Sequence, residues 1–212
     1  MSPTRELAPI VLEGRYVRLE PLTREHVKPL FAAATRGPRD TFAYTNVAAT
    51  ETAMGRWVDD ALAAHAAGQA LPFAVVVRAV DRVVGSTRFG NVEFWPWPPD
   101  SPNQRGEEVP DAVEIGWTWY TPAAQRTGVN TEAKLLMLTH AFETWRVHGV
   151  RLKTDARNER SRQAILRLGA RFDGILRGHT VAADGTVRHS AFYSILDAEW
   201  PEVKERLRSR LR

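Results

Sequence analysis

The 212-residue chain contains no cysteine. That removes disulfide scaffolds, thiolate zinc sites, iron–sulfur clusters and every cysteine-nucleophile mechanism together. Lysine is scarce: four lysines stand against twenty-five arginines, so guanidinium groups carry nearly all of the positive charge behind the net +4. Arginine favours bidentate pairing with phosphates and carboxylates, although such Arg and Ala richness is also what a GC-rich genome produces. The excess is mild and spread along the chain, so nucleic acid is not expected as the main partner. Long hydrophobic runs are missing too. The longest purely aliphatic stretch is Ala74–Val77, so no membrane-spanning helix and no membrane partner are expected. Met1–Ile10 has no apolar core of signal-peptide length, which points away from secretion and towards a cytoplasmic protein. The six histidines fall in neither HxH nor HExxH spacing, so no metal site is indicated. There is no G-x-S-x-G elbow, no Walker A loop and no early GxGxxG fingerprint, which disfavours a serine hydrolase and the two common nucleotide folds.

What is present is ordinary globular material, 43% hydrophobic and 25% charged. The length suits one domain, and no repeat, low-complexity tract or linker divides residues 1–212. Strands are expected at Tyr16–Glu20, Phe73–Ala79, Val83–Val92, Ala112–Tyr120, Arg151–Thr154, Phe172–Leu176 and Ala191–Leu196. Helices are expected from Thr23 to about Ala34, over Glu51–Ala67, over Thr131–Trp145, over Arg160–Leu168 with Gly169 as its stop, and over Glu199–Arg210. The strand–helix–strand crossover inside an otherwise antiparallel order predicts a mixed α/β sheet. Residues 93–111 hold five prolines and a glycine and can be neither helix nor central strand. A structureless stretch of that length is usually functional or mobile.

The informative segment is VEIGWTWYTPAAQRTGVNTE, Val113–Glu132. A strand ends at Tyr120, and the loop QRTGVN runs directly into the strongest helix. Unpaired N–H groups at a helix N-terminus, on the positive end of the macrodipole, make an anion site well suited to phosphate. Gly128 would permit close approach or a positive φ, and Arg126 adds a cation.

The pattern Gln-x-x-Gly-x-Asn, followed by Thr131-Glu132-Ala133, resembles the pyrophosphate loop of the GCN5-related N-acetyltransferases (GNAT), most closely the RimJ/RimL branch. Asn158-Glu159-Arg160-Ser161 with Ala164–Ala170 looks like that branch's N-x-x-S…L-G-[FA] segment, and Leu12–Leu19 like its first strand. The resemblance spans about residues 11–200. It implies a single N-acetyltransferase domain with a mostly antiparallel GNAT sheet flanked by helices, carrying 93–111 as an insertion. It implies acetyl-CoA as co-substrate, no metal, and direct attack on the thioester by a primary amine, either a protein N-terminus or a small molecule. It leaves a homodimer open. The pantetheine arm would pair with the strand at Ile115 to Trp119, Trp117 included, and with Asn158. The pyrophosphate would lie on Gln125, Arg126, Thr127, Gly128, Val129 and Asn130.

Glu114, in the family's strand position, is the candidate base, and it also reads as a strand carboxylate paired with one of the arginines. It shares a strand face with Gly116, which leaves space beside it. Ser161 is the candidate acid and equally a first-turn serine, and Asn158 is equally an N-cap. Two departures stand out. Asn130 replaces the usual Gly or Ala, and Ile165 stands where many members carry a thiolate-protonating Tyr. They leave room for a non-catalytic acyl-CoA-binding or ribosome-associated module, and another donor such as succinyl-CoA would need a basic residue near the acyl pocket.

On the acceptor side, Trp117 and Trp119 alternate with Thr118 and are expected on one face with Ile115 as core. Trp95 and Trp97 would cap the cleft as a lid or anchor their own loop, with Glu107, Glu108 and Asp111 attracting a cationic amine. His179 and His189 flank the last hairpin, as surface residues first and general bases a distant second.

Overall fold

The computed structural model describes residues 7–211, so residues 1–6 of the Met1–Ile10 stretch lie outside it. One eight-stranded sheet carries the whole architecture. Its strands are β1 (Leu12–Glu13), β2 (Val17–Pro21), β3 (Leu71–Val77), β4 (Arg82–Glu93), β5 (Ala112–Tyr120), β6 (Gly149–Asp155), β7 (Arg171–Val181) and β8 (Val187–Leu196). Their spatial order is β1-β2-β3-β4-β5-β6-β8-β7. All neighbours are antiparallel except β5 and β6. Between that parallel pair runs the crossover helix α3 (Gly128–Thr139), which continues as a wide π turn over His140–Thr144.

The apolar periods place the layers. Leu30, Met54, Val58 and Ala61 from α1 (Val27–Ala34) and α2 (Glu51–Ala66) join Ala74 and Trp119 in one core. On the opposite face, α3, α4 (Glu159–Leu168) and α5 (Trp200–Ser209) bury Met137, Leu138, Ile165 and Leu207 against Leu19, Phe73, Ile115 and Tyr193. The expected α3 stripe is there: Ala133, Met137 and Ala141 are fully buried. Thr50 caps α2 by accepting from Ala53 N–H at 3.2 Å, and Gly169, the expected stop, ends α4 with φ +107.

The first strand is tied to the crossover helix by one carboxylate. Glu132 on α3 accepts from the backbone N–H groups of Arg15, Tyr16 and Val17 at 2.6–2.7 Å. A side chain on Gly14 would collide with that carboxylate at 2.4 Å, so the chain must be bare there. The last hairpin is longer than its apolar runs suggested, because Gly174 and Gly178 break the alternation while the pairing with β8 continues past them.

Candidate functional site

The site begins where the sheet opens. β5 and β6 pair only through Ala112, Val113 and Glu114, which face Gly149, Val150 and Arg151. Beyond Glu114 the two strands part: β5 stays with β4, and β6 stays with β8 as far as Asp155. The inner edge of β5 from Ile115 to Tyr120 is left with backbone donors and acceptors that no strand takes up.

A bulge sits at the opening. Ser86 opposes Trp119 and Arg88 opposes Gly116, so Trp117 and Thr118 share the single partner Thr87. The extra residue bends β5, and Trp117 pays with a left-handed φ of +50. The bulge also inverts the alternation. Ile115 lies in the core beneath α3, Trp119 lies in the core beneath α1 and α2, and Trp117 is 41% exposed. The expectation of one shared core face for Ile115, Trp117 and Trp119 is therefore incorrect.

The resulting cleft measures about 1090 Å³, at the upper end for ligand sites. Ile115, Trp117, Gln125, Arg126, Thr127, Asn130, Asn158 and Ser161 all line it, together with Glu114. Gly128 and Val129 sit beside it in the first turn of α3 rather than among its lining residues.

At one end stands the α3 N-terminus. Thr127 is its N-cap; the hydroxyl accepts from Val129 N–H at 3.2 Å and donates to Ala124 C=O at 2.7 Å. The helix consequently starts three residues earlier than its apolar stripe indicated, and Gly128 to Asn130 are helical rather than loop. Gln125 is anchored by a 3.0 Å bond from its side-chain N–H to Tyr120 C=O. The left-handed residue is Arg126, at φ +60, and not Gly128. A Cβ on Gly128 would meet Leu211 and Tyr16 at ordinary contact distances of 3.5 Å and more. Helix geometry leaves first-turn N–H groups without intrahelical partners here, beside the exposed guanidinium of Arg126. This is the arrangement a pyrophosphate requires.

At the other end lies Glu114, buried at 5% exposure. Its Oε2 takes Lys153 Nζ at 2.8 Å and Asn91 Nδ2 at 2.7 Å. Its Oε1 has no protein partner among the described residues and lies against Gly116, where a Cβ would be only 2.9 Å away. The ion-pair reading of Glu114 thus holds with a lysine in place of an arginine, and it leaves one oxygen available. Across the cleft, Asn158 caps α4 by accepting from Ser161 N–H at 3.1 Å. The Ser161 hydroxyl makes no hydrogen bond among the described residues, and Ile165 packs one turn further along the same wall. Behind the bulge, Lys134 is 4% exposed and donates to Thr118 Oγ1 at 2.7 Å and Thr87 Oγ1 at 2.9 Å. No carboxylate pairs with it among the described residues, and burial brings its pKa down from 10.5 to about 7. His179 on β7 also lines the cleft, with Nδ1 2.9 Å from Ser190 Oγ. Burial, and after it the charges of Lys153 and Arg188, hold it below the ordinary histidine value.

The stretch 93–111 lines none of this cleft. Asp111 holds it down instead: Oδ1 accepts from Trp97 Nε1 at 2.6 Å and Oδ2 from Trp95 N–H at 2.7 Å. Both indoles pack on His148, with ring centroids 5.4 Å apart, and Arg105 pairs with Asp197. That end of β5 lies away from the parting of the strands, so the stretch forms its own anchor and not a lid. Asp111 commits both oxygens within the stretch, one to the Trp97 indole and one to the Trp95 backbone, which removes it as an attractor for an amine. No local motif marked Phe42, Tyr44, Thr45 and Asn46, which lie between α1 and α2 and line the cleft. Lys134, Lys153, Trp57 and Arg188 were equally without a local motif. Among the described residues no cluster of three His, Asp or Glu could hold a metal ion, and no helix is long and apolar enough to cross a membrane.

Residues 17–171 match the family model of the acetyltransferase (GNAT) domain. A GCN5-related N-acetyltransferase from Brucella melitensis is 30% identical, with 98% of this chain and 87% of that one covered at a TM-score of 0.81. RimJ of Mycobacterium smegmatis, solved in complex with CoA-disulfide, shares the fold at 19% identity and a TM-score of 0.74, covering 97% of this chain and 94% of its own. The ribosomal-protein-S5-alanine acetyltransferase of Vibrio fischeri does so at 14% identity and 0.68, covering 90% and 98%. No curated protein matches the sequence.

Proposed function

The chain belongs to the GNAT acetyltransferase family and is an N-acetyltransferase, and from that premise we propose that the cleft between β5 and β6 takes acetyl-CoA and passes its acetyl group directly to a primary amine. The observation that carries this reading is the parting of the strands after Glu114, which opens the inner edge of β5 into the same cleft that the α3 N-terminus lines. Acetyl-CoA, when bound, supplies an acyl thioester. The chain's own residues supply the remainder.

Thr127, Gly128 and Asn130 present first-turn N–H groups to a pyrophosphate, and Arg126 adds its charge. The edge from Ile115 to Trp119 offers strand-type pairing to the amide groups of the pantetheine arm, and the unused Asn158 Nδ2 faces the same space. Glu114 Oε1 receives a proton from the incoming amine, directly or through a water. The demand on it is small, because an α-amine has an ordinary pKa of about 7.7–8.0. Lys153 and Asn91, both on Oε2, fix the orientation of the carboxylate and leave Oε1 to the amine. The free Ser161 hydroxyl, one turn before Ile165 on α4, gives its proton to the departing thiolate, since the Ile165 side chain has none to give. Among amine acceptors, the ribosomal-protein acetyltransferases that share the fold keep a protein N-terminus in view beside a small amine.

The test is a pH–rate profile by thiol release from acetyl-CoA. Glu114→Gln is expected to lose ~10²-fold in kcat at pH 7 and to recover towards wild type above pH 8, where the amine needs no base. A uniform loss at every pH would remove Glu114 from the proton's path.

A further inference from the structure

Arg88 on β4 stands opposite Gly116, at the bulge. Its guanidinium lies 4.9 Å from the ring centre of Trp57 and 5.1 Å from that of Trp117. Both indoles line the cleft. The residue is only 6% exposed, and its Nε is buried without a hydrogen-bond partner. The guanidinium donates to no other protein group among the described residues. Burial lowers its pKa to about 10, which Asp60 resists from a distance, so the group is a cation at neutral pH. A buried guanidinium normally spends its fork of five N–H donors on a carboxylate or on carbonyls. Here two rings flank the charge and the donors are unspent.

The surroundings were shaped to allow this. Trp117 reaches its position through the left-handed bulge, and its ring lies where a side chain on Gly90 would be, 2.5 Å from the missing Cβ. Strain of this kind gathers at ligand sites. The cleft itself has a large basic excess: Glu114 is the only carboxylate among its described lining residues, and Lys153 already neutralises it. Arg88 is not itself among the residues that line the cleft and meets it only past the rings of Trp57 and Trp117, whereas Arg188 on β8 does line it and also has a buried Nε without a partner. An acceptor that was purely cationic would meet a like-charged wall.

We propose that the acceptor amine carries a carboxylate, and that Arg88 receives this group from between Trp57 and Trp117. The substrate class is then an amino-acid-like zwitterion: its amine faces Glu114 and the acyl donor, and its carboxylate takes the planar fork that fits it in two parallel hydrogen bonds. This rests on the reading of the cleft as the acetyl-transfer site.

The experiment compares α-amino acids with their carboxamides, in wild type, Arg88→Gln and Arg88→Lys. Thiol release gives kcat and KM. Calorimetry with the N-acetylated acids and amides, in the presence and absence of CoA, gives binding without turnover. Wild type is expected to favour acid over amide by at least ~10-fold in kcat/KM, through KM. Arg88→Gln should erase that preference while leaving acetyl-CoA binding intact. Arg88→Lys, which keeps the charge and loses the fork, should retain part of it. Equal use and equal binding of acid and amide by wild type would overturn the proposal, as would a variant that weakens both alike. Failure of acetyl-CoA to bind wild type would overturn the cofactor reading instead, and the acid-to-amide binding ratio without CoA would still decide the role of Arg88.

Discussion

Lys134→Met is the substitution whose outcome is worked out most fully. The lysine is buried behind the bulge with two threonine hydroxyls and no counter-charge among the described residues. Its pKa is about 7 in the fold against 10.5 ordinarily, a gap worth about 5 kcal/mol. The unfolded chain holds the proton between those two values and the folded chain does not, so stability rises with pH across that window. The deficit is full below the folded pKa, still stands at about 2 kcal/mol at pH 9, and is nearly gone above 10.5.

At pH 7 it amounts to about 4 kcal/mol. Methionine fills nearly the same volume and removes the deficit. It also removes two hydrogen bonds of about 1 kcal/mol each. No hydroxyl is orphaned, because Thr87 and Thr118 remain 2.8 Å from one another. The net expectation is a gain of about 2 kcal/mol at pH 7, or roughly 4–8 °C in Tm for a chain of this size. The advantage over wild type should shrink by about 3 kcal/mol between pH 6 and pH 9. Urea titrations of both proteins at several pH values read this directly. A variant less stable at pH 7, or an advantage that does not change with pH, would mean that Lys134 is held charged and compensated, and the reasoning would be wrong.

Two further predictions concern parts whose roles the structure separates. Arg126→Gly relieves a left-handed arginine, so stability by urea titration should hold or rise by ~1 kcal/mol, while affinity for CoA should fall several-fold through the lost cation; unchanged affinity would take Arg126 out of the anion site. Asp111→Ala removes the bonds to the Trp97 indole and the Trp95 backbone N–H and should cost ~2 kcal/mol of stability; the acceptor KM at permissive temperature should not move, and a raised KM would restore the lid.

The order of elements was legible because apolar periods and caps are local. Gly169 and the Ala133–Met137–Ala141 stripe say where helices lie without help from the rest of the chain. The segment leading into α3 was legible as a unit because it is contiguous. What escaped depends on partners distant in sequence. One extra residue in β5 turns Trp117 away from Ile115 and sends Trp119 to the opposite core, and nothing in the alternating letters WTWY marks it. The true start of α3 is set by the Thr127 side chain, which bonds on both sides of itself, whereas the apolar stripe begins only at the first residue that meets the sheet. Lys134 sits beside that stripe and reads as a solvated lysine until the bulge is seen closing over it. Arg88 is one of twenty-five arginines, and only the fold brings it between two indoles 31 and 29 positions away in sequence.

The central claim is that the opened strands and the α3 N-terminus together form an acyl-CoA site. A calorimetric titration of the protein with acetyl-CoA, with succinyl-CoA for comparison, tests it most directly. The account predicts one site per chain with micromolar or tighter affinity, about −8 kcal/mol or better, and weaker binding to Arg126→Glu. Absence of heat with either compound, in a protein that is folded by circular dichroism, would contradict it.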